Sequence, residues 1–421
     1  MFKKTTLKNG LRVLAIPMPN TKTVTVLILV GTGSKYETKE INGISHFLEH
    51  MFFKGTEKRP TSEEIVKDMD RIGGEYNAFT SKETTGYFAK VDAKHLDLAL
   101  NWISDIFLNS KFDEAEIEKE KNVILEEINM YYDLPMHYIG ILWEQLLYGD
   151  QPAGWPVWGN KEVISNLKRD NFLQYLKFHY SANNSLVCVA GNFNEANIVQ
   201  EIEKYFSRLN GRDFKNKEKV KEKQDKAKLL VYVKKTDQTH LCLGVRGYNL
   251  FHPDRYVLSV LGVILGGFMS SRLFQEVREK KGLAYYIRTS VETNADTGYL
   301  VTQAGVSNDK AEESIQTILK EYKKIKEQKI TAEELARAKE HLKGNMLLNL
   351  ETSDEMASFI GAQEIIKKEI LTPEEIFNKI DKVSIDDIKR VAQDIFKPEK
   401  LNLAMIGPVR EKEKFEKLLK L

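Results

Sequence analysis

Two cysteines, Cys188 and Cys242, are all that 421 residues contain. Both sit in apolar, strand-like runs, so they read as small core residues, and a disulfide framework is excluded. An excess of either charge is missing too: 63 Lys and Arg stand against 61 Asp and Glu, a net charge of +2. That balance predicts no general affinity for nucleic acid or for membrane surfaces. No apolar run approaches the roughly 18 residues of a membrane-spanning helix. The segment Met1–Thr6 shows neither the apolar stretch nor the cleavage site of a secretory signal. A cytoplasmic location is therefore expected. Histidine is also scarce, with eight residues, so a pattern that uses two of them carries weight.

What is present suits a large globular chain. Hydrophobic residues make up 42% and charged ones 29%, enough for real cores and for at least two domains at this length. The chain opens with a strand and a hairpin turn whose tip is Asn9-Gly10. It also repeats itself. Thr85-Gly86-Tyr87-Phe88-Ala89, followed by a helix, returns as Thr297-Gly298-Tyr299-Leu300-Val301, followed by a helix, at an offset of 212 residues. Ala115-Glu116 has its counterpart in Ala332-Glu333, at the start of another long helix. Each half runs strands, helix, strands, helices, which predicts an α+β fold of two related domains. The expected boundaries are 1–212 and 229–421. The Lys-, Glu- and Asp-rich stretch between them reads as a solvated linker whose lysines lie at the surface.

The most informative segment is His46-Phe47-Leu48-Glu49-His50. On a helix His46 and His50 stack one turn apart, where both can reach a single Zn²⁺. Glu49 is three residues from His46 and lies on the same side, close to any water the metal holds. Ile44, Phe47, Leu48, Met51 and Phe52 form a separate apolar stripe that would pack into a core. Asn42 is the expected N-cap and Gly55 the expected stop. Two surface histidines near a glutamate are the bland alternative. A chance match should occur in on the order of one such chain in a hundred.

A third ligand has to come from elsewhere. Asp113 to Tyr131 reads as a helix with an acidic first turn. Ile117, Ile124, Ile128 and Tyr131 mark its inward stripe, and Glu120 and Glu127 fall on that stripe, whereas Glu126 projects with Lys119, Asn122 and Met130. A carboxylate on an apolar face is costly unless it is paired or bound to a metal. Periodicity thus nominates Glu127 as ligand and Glu120 as a nearby acidic partner.

With these motifs the chain resembles the pitrilysin and mitochondrial processing peptidase group of zinc peptidases, the inverzincins, in their bacterial-type single-chain branch. The 76 residues between His50 and Glu127 match the spacing typical of the processing-peptidase branch. Gly74–Thr84 resembles the family's edge strand, Asn184–Asn192 the strand that closes its first domain, and Gly266–Phe274 its second-half signature. Arg278 and Tyr285, seven residues apart, resemble the family's pair that holds substrate and steadies a developing oxyanion. The resemblance implies one zinc per chain on His46, His50 and Glu127, Glu49 as general base, and Glu120 behind the ligands. It implies two domains, each a mainly antiparallel sheet with helices on one side, enclosing a chamber.

An extended peptide is expected to lie along the strand around Asn77 and Ala78, read through its backbone, which favours unfolded substrates. With zinc motif and Arg/Tyr pair in one chain, a homodimer is expected. The first half alone, residues 1–212, is expected to hold zinc but to cleave poorly. Two rival readings stay open: a non-catalytic scaffold or binding subunit, and a maturation peptidase dedicated to one peptide with a partner protein. Few acids, among them Asp133, Glu144 and Asp150, follow the ligand helix, so a preference for arginine-rich presequences is not expected.

Overall fold

A computed structural model of the protein describes residues 2–421; Met1 lies outside them. Alternating apolar runs become eleven strands among the described residues, arranged in two sheets. The first contains β1 (Lys3–Thr6), β2 (Arg12–Pro17), β3 (Thr23–Val30), β4 (Glu75–Thr80), β5 (Thr85–Asp92) and β6 (Ser185–Gly191), in the order β1-β2-β6-β3-β5-β4. The second contains β7 (Lys228–Val233), β8 (Gln238–Arg246), β9 (Ala284–Thr293), β10 (Gly298–Ser307) and β11 (Leu401–Gly407), in the order β7-β11-β8-β10-β9. Beyond β1 the two orders coincide, and each sheet is antiparallel except at one pair in the same place, β2 with β6 and β7 with β11. The sequence repeat falls on β5 and the start of β10, which are equivalent strands. The fold is duplicated, as the repeat implies.

The expected hairpin forms. β1 and β2 pair from Lys3 opposite Ala15 to Thr6 opposite Arg12. Gly10 takes φ +92° at the turn, a conformation that suits glycine. Cys188 and Cys242 are buried, unpaired thiols on β6 and β8. No helix of the described residues is long and apolar enough to cross a membrane.

The compact units do not follow the expected boundaries at 212 and 229. The first consists of residues 1–129, 155–218 and 347–370, and the second of 130–154, 219–346 and 371–421. In the first unit β3 and β6 are buried almost throughout, so both faces of the sheet are covered. Leu14, Ile16, Leu27, Leu29, Leu186 and Cys188 pack against Ala357, Ile360 and Ile365, which belong to the helix Ser353–Lys367 from the other half of the sequence. That helix is pinned to the sheet by the buried Glu364 carboxylate, 2.7 Å from Lys4 Nζ and 3.1 Å from Arg12 Nη1. Helices of the unit's own half, including Leu96–Asn109, pack on the sheet as well. In the second unit the borrowed helix is Pro135–Tyr148, whose Ile139, Leu142, Trp143 and Leu147 join Cys242, Val301, Ala404 and Ile406 in one core.

The linker differs from its expected form in one respect. Residues 213–227 form no helix or strand and are mostly exposed, but Lys217 is not a surface lysine. Its side chain is 10% exposed and lies 3.4 Å from Glu83, which also pairs with the buried Lys35 at 2.8 Å. A carboxylate buried between two ammonium groups is the arrangement that makes such burial tolerable.

Candidate metal centre

The motif segment folds as the helix Ile44–Met51. Its apolar stripe is fully buried, with Ile44, Phe47, Leu48, Met51 and Phe52 no more than 1% exposed. The helix starts at Gly43, φ +98°, and not with a cap from Asn42. Its first N–H groups are satisfied by Glu37: the carboxylate accepts from Gly43 N at 2.7 Å and from Ser45 N at 2.9 Å. Asn42 serves that same carboxylate, donating from Nδ2 at 2.9 Å. Burial pushes the Glu37 carboxyl above its ordinary range, and these hydrogen bonds partly oppose the shift. On the other side of the first turn, Ser45 Oγ, Tyr175 Oη and Thr32 Oγ1 form a chain with 2.8 Å links. Gly55 is not the stop; the helix ends at Phe52, before it.

The second element is the helix Glu114–Asp133. Ile117, Ile124 and Ile128 are buried along it. Glu127 turns toward the motif helix and is half-buried, whereas Glu126 is exposed and meets Asn129. Glu127 Oε1 lies 3.6 Å from His46 Nε2, and Glu127 Oε2 lies 3.6 Å from His50 Nε2. All three ligand atoms lie within 4.8 Å of one another. Two ligands about 2.1 Å from a tetrahedral zinc ion sit about 3.4 Å apart, so this donor set fits such an ion with little adjustment.

The surroundings fit it too. His50 Nδ1 is 2.9 Å from Glu120 Oε1, and Glu120 Oε2 is 2.6 Å from Lys54 Nζ. A proton on Nδ1, donated to Glu120, leaves Nε2 with a free lone pair aimed at the cluster, the arrangement common behind metal-bound histidines. Burial alone would raise the Glu120 carboxyl, but hydrogen bonds from His50 and Lys54 outweigh it and hold the carboxyl below its usual range. At His46 burial opposes the charged ring, yet the nearby Glu127, Glu49 and Glu37 carboxylates win and raise its pKa. The cluster attracts cations.

Glu49 shares the half-buried face with the two histidines. Asn77 and Ala78 lie on β4, an edge strand paired only with β5, and β4 runs beside the motif helix, where Thr80 Oγ1 donates to Ser45 O at 3.4 Å. Asn77 is exposed, and its Oδ1 accepts from Ala78 N at 2.8 Å. A peptide that used this N–H would displace only a side chain. Arg278 and Tyr285 belong to the second unit. Arg278 lies in a π-helical turn, Phe274–Glu279, 4.8 Å above the Phe274 ring. Tyr285 stands on the edge strand β9 with 76% of its surface exposed. In the repeat of the ligand helix, Ala332–Asn349, Asn345 replaces a carboxylate and bonds His341.

Sequence reasoning missed Glu37 and Lys54. Glu37 lies in an irregular stretch and has no periodicity to expose it. Lys54 could have been found, because it continues the i, i+4 series of His46 and His50 toward Glu120.

Residues 12–151 match the family model described as insulinase, peptidase family M16, and residues 166–342 match the peptidase M16 inactive domain. An uncharacterized zinc protease of Bacillus subtilis, YmxG, is 39% identical, covering 97% of this chain and 98% of its own. An uncharacterized zinc protease of Rickettsia felis is 38% identical with the same two coverages. The crystal structure of a protease from Helicobacter pylori superimposes with a TM-score of 0.91 at 27% identity, covering 97% of this chain and 99% of that one.

Proposed function

Because the chain belongs to the insulinase-type M16 peptidases, whose relatives above are named zinc proteases, we propose that it is a zinc-dependent endopeptidase acting on unfolded or extended peptides. The observation that carries this reading is the meeting of His46, His50 and Glu127, with Glu49 on the same helix face. His46, His50 and Glu127 would hold one zinc ion per chain, which would supply Lewis acidity toward a water molecule and a peptide carbonyl. Glu49 accepts the proton of the attacking water and passes it to the leaving amine. Glu120 keeps His50 in the tautomer that presents Nε2 inward.

The edge of β4 at Asn77 and Ala78 receives the peptide as an added strand, which restricts substrates to chains whose backbone is not already paired. The second half carries no ligand set and supplies Arg278 and Tyr285 as donors to the substrate carbonyl as negative charge develops on it. The working form is a cytoplasmic homodimer. Zinc content and cleavage of an unstructured peptide library, measured on one purified preparation, test the reading. Stoichiometric zinc with cleavage supports it, and bound zinc without cleavage of any library member would favour a binding subunit instead.

A further inference from the structure

The near-zero net charge conceals an uneven distribution. On the first unit a cleft of about 710 Å³ is lined by seven Lys and Arg but only two acids, Glu57 and Asp105. Asp105 is already paired, its Oδ2 lying 2.6 Å from Nη1 of the buried Arg59, which also meets Asp68 at 2.8 Å. Five of the lining cations, Lys58, Arg169, Lys177, Arg208 and Arg212, have no carboxylate partner among the described residues. Arg169 is held in place by neutral groups, donating from Nε to Phe112 O at 2.9 Å and from Nη2 to Lys111 O at 3.2 Å. Lys58 meets only an amide oxygen, that of Asn101.

Like charges gathered around one concavity repel one another, and a surface under no other demand disperses them or pairs them with acids. Aromatic rings line the cleft as well. They belong to Phe107, Phe112 and Tyr180, and each packs on Phe52, with ring centroids 5.5–5.8 Å apart. A concave site of this size, lined by aromatic rings and by cations, suits a compact ligand and not a long polymer. Its chemistry is that of a chain of phosphates, since guanidinium groups and ammonium groups match phosphate oxygens in charge and hydrogen bonding. We propose that this cleft is a binding site for a small polyphosphorylated anion, either a nucleoside polyphosphate or an inorganic one.

Titration calorimetry of the zinc-loaded full chain with inorganic tripolyphosphate, ATP and adenosine tests this. Tripolyphosphate and ATP should bind, adenosine should not, and raising the salt from low to physiological strength should weaken binding by about tenfold. The doubly substituted Lys177→Ala/Arg208→Ala chain should bind both anions about tenfold or more weakly, while its zinc content, melting temperature and peptide hydrolysis stay unchanged. ATP binding much more tightly than tripolyphosphate would identify the nucleoside form, and equal binding the phosphate chain alone. Undiminished affinity in the double variant would place the anion on the zinc ion instead and overturn the proposal. So would adenosine binding as well as ATP, or no binding of either anion at millimolar concentration.

Discussion

At the scale of single residues, the site turns on which carboxylates face inward. Glu127 and Glu126 are neighbours in sequence, but one is half-buried against the histidines and the other exposed. Glu127→Ala should lose most bound zinc, whereas Glu126→Ala should keep it; metal analysis of the two proteins after dialysis decides, and the reverse pattern would move the ligand. Glu49→Gln should retain zinc and fold but lower kcat by about 10²- to 10⁴-fold, the usual value of a general base. A variant with near-native turnover would remove Glu49 from that role. Glu37 has a different importance. It replaces the missing side-chain cap of the motif helix with a buried charge that accepts three hydrogen bonds, so Glu37→Gln turns an amide group toward N–H donors. The expected cost is about 2 kcal/mol, seen as a lower melting temperature together with weaker zinc retention. An unchanged melt would show that Gly43 and Ser45 find other acceptors.

At the scale of elements, the duplicated sheets were legible from the sequence repeat, and the two helices that meet at the site from periodicity, because the stripe of Ile117, Ile124 and Ile128 places Glu120 and Glu127 on the buried side. Glu37 was not legible, since a cap supplied from an irregular loop leaves no spacing to read. Neither was the destination of the helices Pro135–Tyr148 and Ser353–Lys367. An amphipathic pattern states that a face is buried, but not which sheet buries it. That difference alters an expectation. A fragment ending at residue 212 lacks Ala357, Ile360 and Ile365, which cover the sheet face of Leu14, Leu27 and Leu186. Fragment 1–212 should therefore unfold without a cooperative transition and bind a hydrophobic dye. A melt as sharp as that of the intact chain would contradict this, and would restore the view of the first half as a self-sufficient zinc-binding domain. Tyr285→Phe, by contrast, leaves every element intact and should lower kcat by about 10²-fold without loss of zinc, as expected for one missing donor. Full activity would leave Tyr285 an ordinary exposed residue of β9.

For the molecule as a whole, acid tolerance should be set partly by His179. Its ring is 3% exposed, its Nδ1 has no hydrogen-bond partner, and burial, with Lys215 nearby, lowers its pKa to about 4. The folded value lies below the unfolded value of about 6.5. Stability is thus complete above pH 6.5 and falls as the pH drops from there toward 4, by about 2 kcal/mol at pH 5. Denaturant melts of the wild type and of His179→Gln at pH 7 and pH 5 should show a smaller acid loss in the variant, and equal losses would assign the sensitivity elsewhere. The borrowed helices bear on how such a molecule comes into being. Chains emerge from the ribosome N-terminus first, at about 5–20 residues per second. All six strands of the first sheet have been made once Gly191 is out, but the helix that closes its open face ends at Lys367. For roughly 9 to 35 seconds the nascent chain carries an unsealed apolar sheet, which makes it a client for chaperones that shield such surfaces during translation.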